Sequence, residues 1–263
     1  MESADIKFTF LGTGTSQGVP MIGSGQATLD RSNPKNWRTR CAAHIEAGGL
    51  HVQIDAGPEF RLQCLQNKIE WIDLFLLTHG HADHILGMDD LRRFCDMRPD
   101  QKIPVYANVG GIERVKAIFP YALFDKPAHH GYPCFGLKKM PEALELENGM
   151  KIFAENLPHG PVETLGFVFE FRGKRLAYFS DCKSLTPRAK ALAKNADVLV
   201  IDGLRPRPHP THLSIMAAVE YAEELSAKRA YFTHTTWEID YDEWSKKIPQ
   251  NTFIAYDGLQ VFI

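Results

Sequence analysis

Short apolar runs bounded by glycine, proline and aspartate alternate along the chain with stretches of helical period, and this order occurs twice. In the first half Lys7–Leu11, Ala43–Ala47 and His51–Asp55 read as strands. The last two are joined through Gly48-Gly49, a pair suited to the positive φ angles of a tight hairpin. Glu59–Asn67 reads as a helix, Trp71–Thr78 as an apolar strand ending at His79, Ile85–Cys95 as a helix, and Ile103–Ala107 as a short strand. The longest irregular segment runs from about Gly18 to Arg40.

The second half repeats the rhythm. Gly166–Phe171 and Arg175–Ser180 flank the turn Arg172-Gly173-Lys174, and Thr186-Pro187 carries a capping hydroxyl followed by proline at the first helical position. Val198–Ile201 is a buried strand. Ser214–Ala227 is an amphipathic helix with Ile215, Ala218, Ala222 and Leu225 on one face, and Ala230–Thr233 is a strand ending at His234. Two halves that each run hairpin, helix, strand predict an α/β sandwich of two sheets covered by helices, a single domain over residues 1–263.

Composition narrows the class. With 44% hydrophobic and 24% charged residues in 263, the chain can bury a full core and lacks the signature of disorder. A formal net charge of −2 gives no electrostatic footprint for nucleic acid or an anionic membrane, so neither is expected as a partner. The start, MESADIKFTF, has no basic and apolar leader, and no 18-residue apolar run occurs. The five cysteines (Cys41, Cys64, Cys95, Cys134 and Cys182) are scattered without a CxxC pair, so no disulfide framework is predicted. A reduced, cytoplasmic setting is the expectation, with a homodimer left open.

The chemistry concentrates in Thr78-His79-Gly80-His81-Ala82-Asp83-His84, where three histidines and an aspartate follow an apolar strand and precede a helix. A strand end fixes the backbone, and the turn beyond it lets alternate side chains converge. His79 and His81 can face one metal while Asp83 and His84 face a second, about 3.5–4 Å away. Imidazole with carboxylate suits zinc first, and also manganese or iron.

This His-x-His-x-Asp-His run resembles the signature of the metallo-β-lactamase family. The resemblance implies an αββα sandwich of two similar halves with a dinuclear metal site at one edge. It also implies a later histidine, a bridging aspartate and a final histidine, each at a strand end. His159 after Phe153–Leu157, Asp181 after Leu176–Ser180 and His234 after Ala230–Thr233 supply them in order. By resemblance, His79, His81 and His159 bind one divalent ion, Asp83, His84 and His234 the other, and Asp181 bridges. Asp55 resembles the aspartate that orients the metal loop from behind.

Finer motifs resemble the phosphoribosyl cyclic phosphodiesterase group: Leu11-Gly12-Thr13-Gly14-Thr15-Ser16-Gln17-Gly18-Val19-Pro20, Met88-Asp89-Asp90-Leu91-Arg92, His212-Leu213-Ser214 and Tyr256-Asp257-Gly258-Leu259. Two departures stand out. Gly23-Ser24-Gly25-Gln26-Ala27 replaces the group's cysteine-rich zinc knuckle, so no structural zinc is expected there, and Trp237 stands where a second histidine often follows the last metal ligand.

Other histidines have plainer readings: His44 and His51 as strand residues, His129 and His130 in a loop, and His209 in the proline-rich run Arg205–Pro210. His212 opens the helix that begins near Ser214 and, with Asp83, is named as catalytic. The Gly12-Thr13-Gly14 loop has no nucleotide-binding pattern and reads as packing against the metal loop. Arg38, Arg40, Arg92 and Arg205 are candidates for gripping a phosphate. The resemblance implies a hydrolase that cleaves a small, cyclic phosphate ester with metal-bound hydroxide, His212 protonating the leaving group. Rival readings are a lactonase, a thioesterase, an RNA-processing nuclease, or a di-iron redox protein with the same ligands.

Overall fold

A computed structural model of the chain describes residues 5–23, 25–127 and 129–263. The first sheet is built from β1 (Ile6–Gly12), β2 (Ala42–Ala47), β3 (Leu50–Ile54), β4 (Leu74–Leu76), β5 (Ile103–Ala107) and β6 (Phe135–Lys139). The second comprises β7 (Ala143–Glu145), β8 (Lys151–His159), β9 (Val162–Phe171), β10 (Lys174–Phe179), β11 (Val198–Asp202), β12 (Ala230–Thr233) and β13 (Thr252–Ile254). The last strand, β14 (Gln260–Phe262), returns to the first sheet beside β1, so each sheet has seven strands.

Within each sheet a hairpin leads into parallel strands. β2–β3 is antiparallel and β3–β4–β5 parallel; β9–β10 is antiparallel and β10–β11–β12 parallel. The two halves are therefore alike in pairing as well as in sequence rhythm. Strand alternation sends Phe8, Ile45, Ile54, Phe167, Phe169 and Val200 into one core between the sheets. The opposite faces are covered by α1 (Phe60–Asn67), α2 (Ala82–Ile85), α3 (Arg92–Asp96) and α4 (Val109–Ile118) on the first sheet, and by α5 (Pro187–Ala193), α6 (Ile215–Glu224) and α7 (Tyr241–Ser245) on the second. The architecture is the four-layer sandwich expected from the sequence.

Local chemistry fixes the helix starts. The Thr186 hydroxyl accepts from the Ala189 amide with Pro187 in the first turn, and the Ser214 hydroxyl accepts from the Ala217 amide. Behind that cap α6 buries Ile215, Ala218, Val219 and Ala222. No helix among the described residues is long and apolar enough to cross a membrane. All five cysteines are buried and unbridged.

Two expected elements are cut short, for tertiary reasons. The strand read as Trp71–Thr78 keeps only Leu74–Leu76, because the Thr78 amide donates to the Asp55 carboxylate instead of continuing the ladder. The helix read as Ile85–Cys95 breaks at Leu86-Gly87 into α2, a 3₁₀ turn over Met88–Leu91, and α3. Gly87 donates to the Ala56 carbonyl, and a Cβ there would collide with the Gly57 carbonyl. The break lets the metal-loop turn press directly against the end of β3.

Candidate metal centre

Six strand ends deliver the site. Asp55 follows β3, His79 to His84 follow β4, His159 closes β8, Asp181 follows β10, Asp202 closes β11, and His234 follows β12. Carboxyl ends of neighbouring parallel strands share one edge of a sheet, which is where open α/β sheets gather ligands. Asp55 and His234, at corresponding places in the two halves, both adopt left-handed backbone with φ of 59° and 57°. Such a conformation in a non-glycine residue costs energy and clusters at functional sites.

Two groups of donor atoms converge there. His79 Nε2 lies 2.8 Å from His81 Nδ1, which lies 3.3 Å from His159 Nε2. Next to them, His84 Nε2 is 3.2 Å from Asp83 Oδ2 and 3.4 Å from Asp181 Oδ1; His234 Nε2 is 3.4 and 3.1 Å from the same two oxygens. Asp181 also groups with His79 and His84, and with His159 and His212, so its carboxylate stands between the two sets. His81 is exposed; the other six side chains are buried.

The hydrogen-bond network fixes which ring nitrogens carry protons. The Thr78 hydroxyl donates to Asp55 Oδ2 at 2.7 Å, so at 3.1 Å it accepts from His79 Nδ1. His84 Nδ1 donates to Asp55 Oδ2 at 2.7 Å, and His159 Nδ1 to the Thr211 carbonyl at 3.0 Å. Each of these rings therefore turns its Nε2 into the site, the arrangement by which partners behind a histidine set it up as a ligand. Asp55 has the orienting place expected of it.

Electrostatics agree with a cation at this point. Burial pushes the imidazoles of His79, His81 and His159 down, keeping them neutral. For His84 and His234, burial is overcome by the carboxylates, Asp181 above all, which draw positive charge onto both rings. Asp83 and Asp181 are held below the usual carboxylate range despite burial, by His84 and His234. His84 Nε2 and Asp181 Oδ2 are buried with no hydrogen-bond partner among the described residues. Clustered ring nitrogens and an unpartnered carboxylate oxygen fit divalent metal ions, which would take the place of the protons that the carboxylates hold on His84 and His234.

His212 lies beside both groups. Its Nδ1 donates to Asp202 Oδ2 at 2.6 Å, and its ring stacks on that of His234, with centroids 4.9 Å apart at 11°. The ring of His159 meets it edge-on at 4.6 Å. His212 precedes the helix instead of opening it: Ser214 is the cap and α6 begins at Ile215. The neighbour that governs its proton is therefore Asp202 and not a helix terminus. Sequence reading missed Asp202, although it ends an apolar strand as Asp55 and Asp181 do; its other contacts, with the Cys182 and Leu204 amides, hold it in place.

The Gly12-Thr13-Gly14 loop packs as expected. The Thr13 carbonyl accepts from the Thr235 amide next to His234, and Asp257 takes hydrogen bonds from the amides and hydroxyls of Thr13 and Thr39. A Cβ on Gly12 would strike the Arg40 carbonyl. The phosphate-gripping arginines fare less well. Arg38 is fully buried and donates to the Thr236 and Ile239 carbonyls; Arg40 pairs with Glu59, Arg92 with Asp89, and Arg205 donates to Pro208. His209 is half-buried, its ring 5.2 Å from that of His212. His130 sits 3.4 Å from Asp96. Of the Gly23–Ala27 segment, Ser24 lies outside the described residues.

Comparison with known proteins gives a consistent family. Residues 51–235 match the model of the β-lactamase superfamily domain. The crystal structure of a diphosphatase from the PhnP family superposes with a TM-score of 0.86 at 33% identity, covering 98% of each chain. An octanoyltransferase from Porphyromonas gingivalis is 28% identical over 257 residues, 96% of this chain; the chain spans about half (51%) of that protein's length. A ribonuclease Z from Clostridium kluyveri is 24% identical over 279 aligned positions, covering 84% of this chain and 91% of its own.

Proposed function

The chain belongs to the β-lactamase superfamily, and to the PhnP family within it, and on that premise we propose that this metallo-hydrolase is a phosphodiesterase acting on a small, cyclic phosphate ester. His79, His81 and His159 would hold one divalent ion and Asp83, His84 and His234 the other, with Asp181 placed to serve both. Zinc is the first choice for two sites of imidazole and carboxylate, with manganese or iron as alternatives. When bound, the two ions supply an acidified water and concentrated positive charge for phosphate oxygens.

The observation that carries the reading is the His212–Asp202 pair, set against the second metal group through the ring of His234. A diester places charge on its leaving oxygen as the bond to phosphorus breaks, and a positioned acid must neutralise it. His212 holds that proton on Nε2, Asp202 accepts Nδ1–H and stabilises the imidazolium, and the stacked His234 ring fixes the plane. Asp83, within reach of His84 and His234, would orient the attacking water as well as serve as a ligand.

The diphosphatase and the ribonuclease Z among the relatives both act on phosphorus–oxygen bonds, which supports phosphate esters over lactones and thioesters. The same likeness to ribonuclease Z removes the ground for setting nucleic acid aside, and makes an RNA-processing nuclease the second reading. The test is a panel run on zinc- and manganese-loaded protein: cyclic phosphodiesters, diphosphate diesters, bis(p-nitrophenyl) phosphate, precursor tRNA, lactones and thioesters. The proposal expects the highest kcat/KM on a small cyclic phosphodiester. A lactone or thioester ahead of every phosphodiester by tenfold or more would overturn it; precursor tRNA ahead would select the nuclease. Iron with colour and redox activity in the purified protein would select the di-iron reading.

A further inference from the structure

A second constellation of metal-type side chains lies on the β2–β3 hairpin, away from the centre described above. Strand alternation puts Ala43, Ile45, Ala47, Val52 and Ile54 into the core between the sheets and leaves His44, Glu46, His51 and Gln53 on the opposite face. Glu46 pairs directly across from His51, and His44 across from Gln53, so the three candidate ligands form one tight triangle near the Gly48-Gly49 turn. Their donor atoms all lie within 4.8 Å of one another. From His51 to Asp55 along β3 is about 13 Å at about 3.3 Å per residue, so the triangle is a separate place from the metal edge.

The protons here are also set by neighbours. The Gln53 amide nitrogen donates to the Ile54 and Asp55 carbonyls, so its oxygen is left to accept from His44 Nδ1 at 3.2 Å. His44 Nε2 is therefore unprotonated, and it points at His51 Nδ1 at 3.1 Å. Two imidazole nitrogens on one tetrahedral zinc, each about 2.0–2.1 Å from the ion, stand about 3.3–3.4 Å apart. The pair is already close to that spacing, and a ring braced from behind by an amide oxygen is how ligating histidines are held.

We propose that His44, Glu46 and His51 form a third cation site of the zinc class, with three protein ligands and an open position toward solvent. Binding needs the Nδ1 lone pair of His51, which moves its proton to Nε2, so no net proton is lost. Glu46 pairs with Lys7 at 2.7 Å through Oε1 and keeps Oε2 for the ion. A hollow of about 470 Å³ lined by Lys7, Glu46, His51 and Arg172 gives access. Burial pushes His44 down to about 4, so its ring stays neutral through the physiological range. The nearby ammonium of Lys7 opposes the ion, which makes this the weakest of the three sites and one that empties on dialysis.

The test is a zinc titration of protein already holding two zinc ions, read by a competing chromophoric chelator and by imidazole nitrogen NMR. A third equivalent is expected, moving the His51 and His44 signals. His51→Ala and Glu46→Gln should each weaken it by at least tenfold, and Lys7→Met should tighten it. Both weakening changes lie on a half-exposed surface, and an unchanged thermal midpoint without added zinc checks the fold. No third equivalent, or one that survives His51→Ala and Glu46→Gln unchanged, overturns the site.

Discussion

Replacing Asp202 by asparagine isolates the proton on His212 without touching a metal ligand. Asp202 receives three hydrogen bonds: the Cys182 amide at 3.1 Å and His212 at 2.6 Å on one oxygen, and the Leu204 amide at 3.1 Å on the other. Asparagine has one acceptor, so its amide group must face the side with fewer donors. It turns toward the Leu204 N–H and leaves that buried amide unpaired, costing about 1–3 kcal/mol of stability. His212 then still donates, but to a neutral oxygen. A hydrogen bond to a charged partner contributes about 1.5–3 kcal/mol and a neutral one about 0.5–1.5, so the imidazolium loses about 1–2 kcal/mol. At about 1.4 kcal/mol per tenfold, kcat on alkyl phosphodiesters should fall about 5–30-fold. On p-nitrophenyl esters, whose leaving group needs no proton, kcat should hardly change. The assay is steady-state kinetics on both ester types with metal content measured in parallel. An equal loss on both, or loss of an ion, would refute the assignment of Asp202 and His212 to leaving-group protonation.

Other consequences follow from the same geometry. His212→Ala should keep both ions, lose about 10²–10⁴-fold on alkyl esters and recover in part on p-nitrophenyl esters; loss of a metal on analysis would make it a ligand instead. Asp181→Ala should impair metal content more than Asp83→Ala, because the Asp181 carboxylate groups with histidines of both donor sets; titration of zinc into the two apo variants checks this, and equal loss of one ion in both removes the bridge. In the metal-free protein, His44 with its depressed folded value of about 4 against 6.5 binds a proton less readily than in the unfolded chain. Stability is therefore full above pH 6.5 and falls as the pH drops toward 4, by up to about 3 kcal/mol from this group. Urea unfolding of His44→Gln should give a flatter slope over that window, and an identical slope would refute it.

The sequence carried the sandwich and the gathering of histidines and aspartates at one sheet edge because both rest on local patterns. Apolar strands stop at polar residues that can turn a corner, and His79 to His84 cluster within one turn. What it did not carry depends on residues remote in the chain. The break at Gly87 exists because Gly57 comes close, and β4 ends early because Asp55 takes the Thr78 amide. Strands β7, β13 and β14 have only three residues each and borrow their pairing from neighbours, so they have no period of their own. Helix α4 is not among the elements read from the sequence: it begins at Val109 with Gly110-Gly111 in its first turn, and the Asn108 side chain caps it by accepting from the Gly111 amide. The His44–His51 pair looked like ordinary strand residues because a hairpin partner is a matter of register.

On the proposed function, two metal ions in one seven-ligand site perform the hydrolysis. The most direct test is to add zinc stepwise to metal-free protein while following bound metal and phosphodiesterase activity together. Activity should rise to its plateau as the second equivalent binds and be unaffected by any third. Full activity without metal, or a plateau at one equivalent, would contradict this.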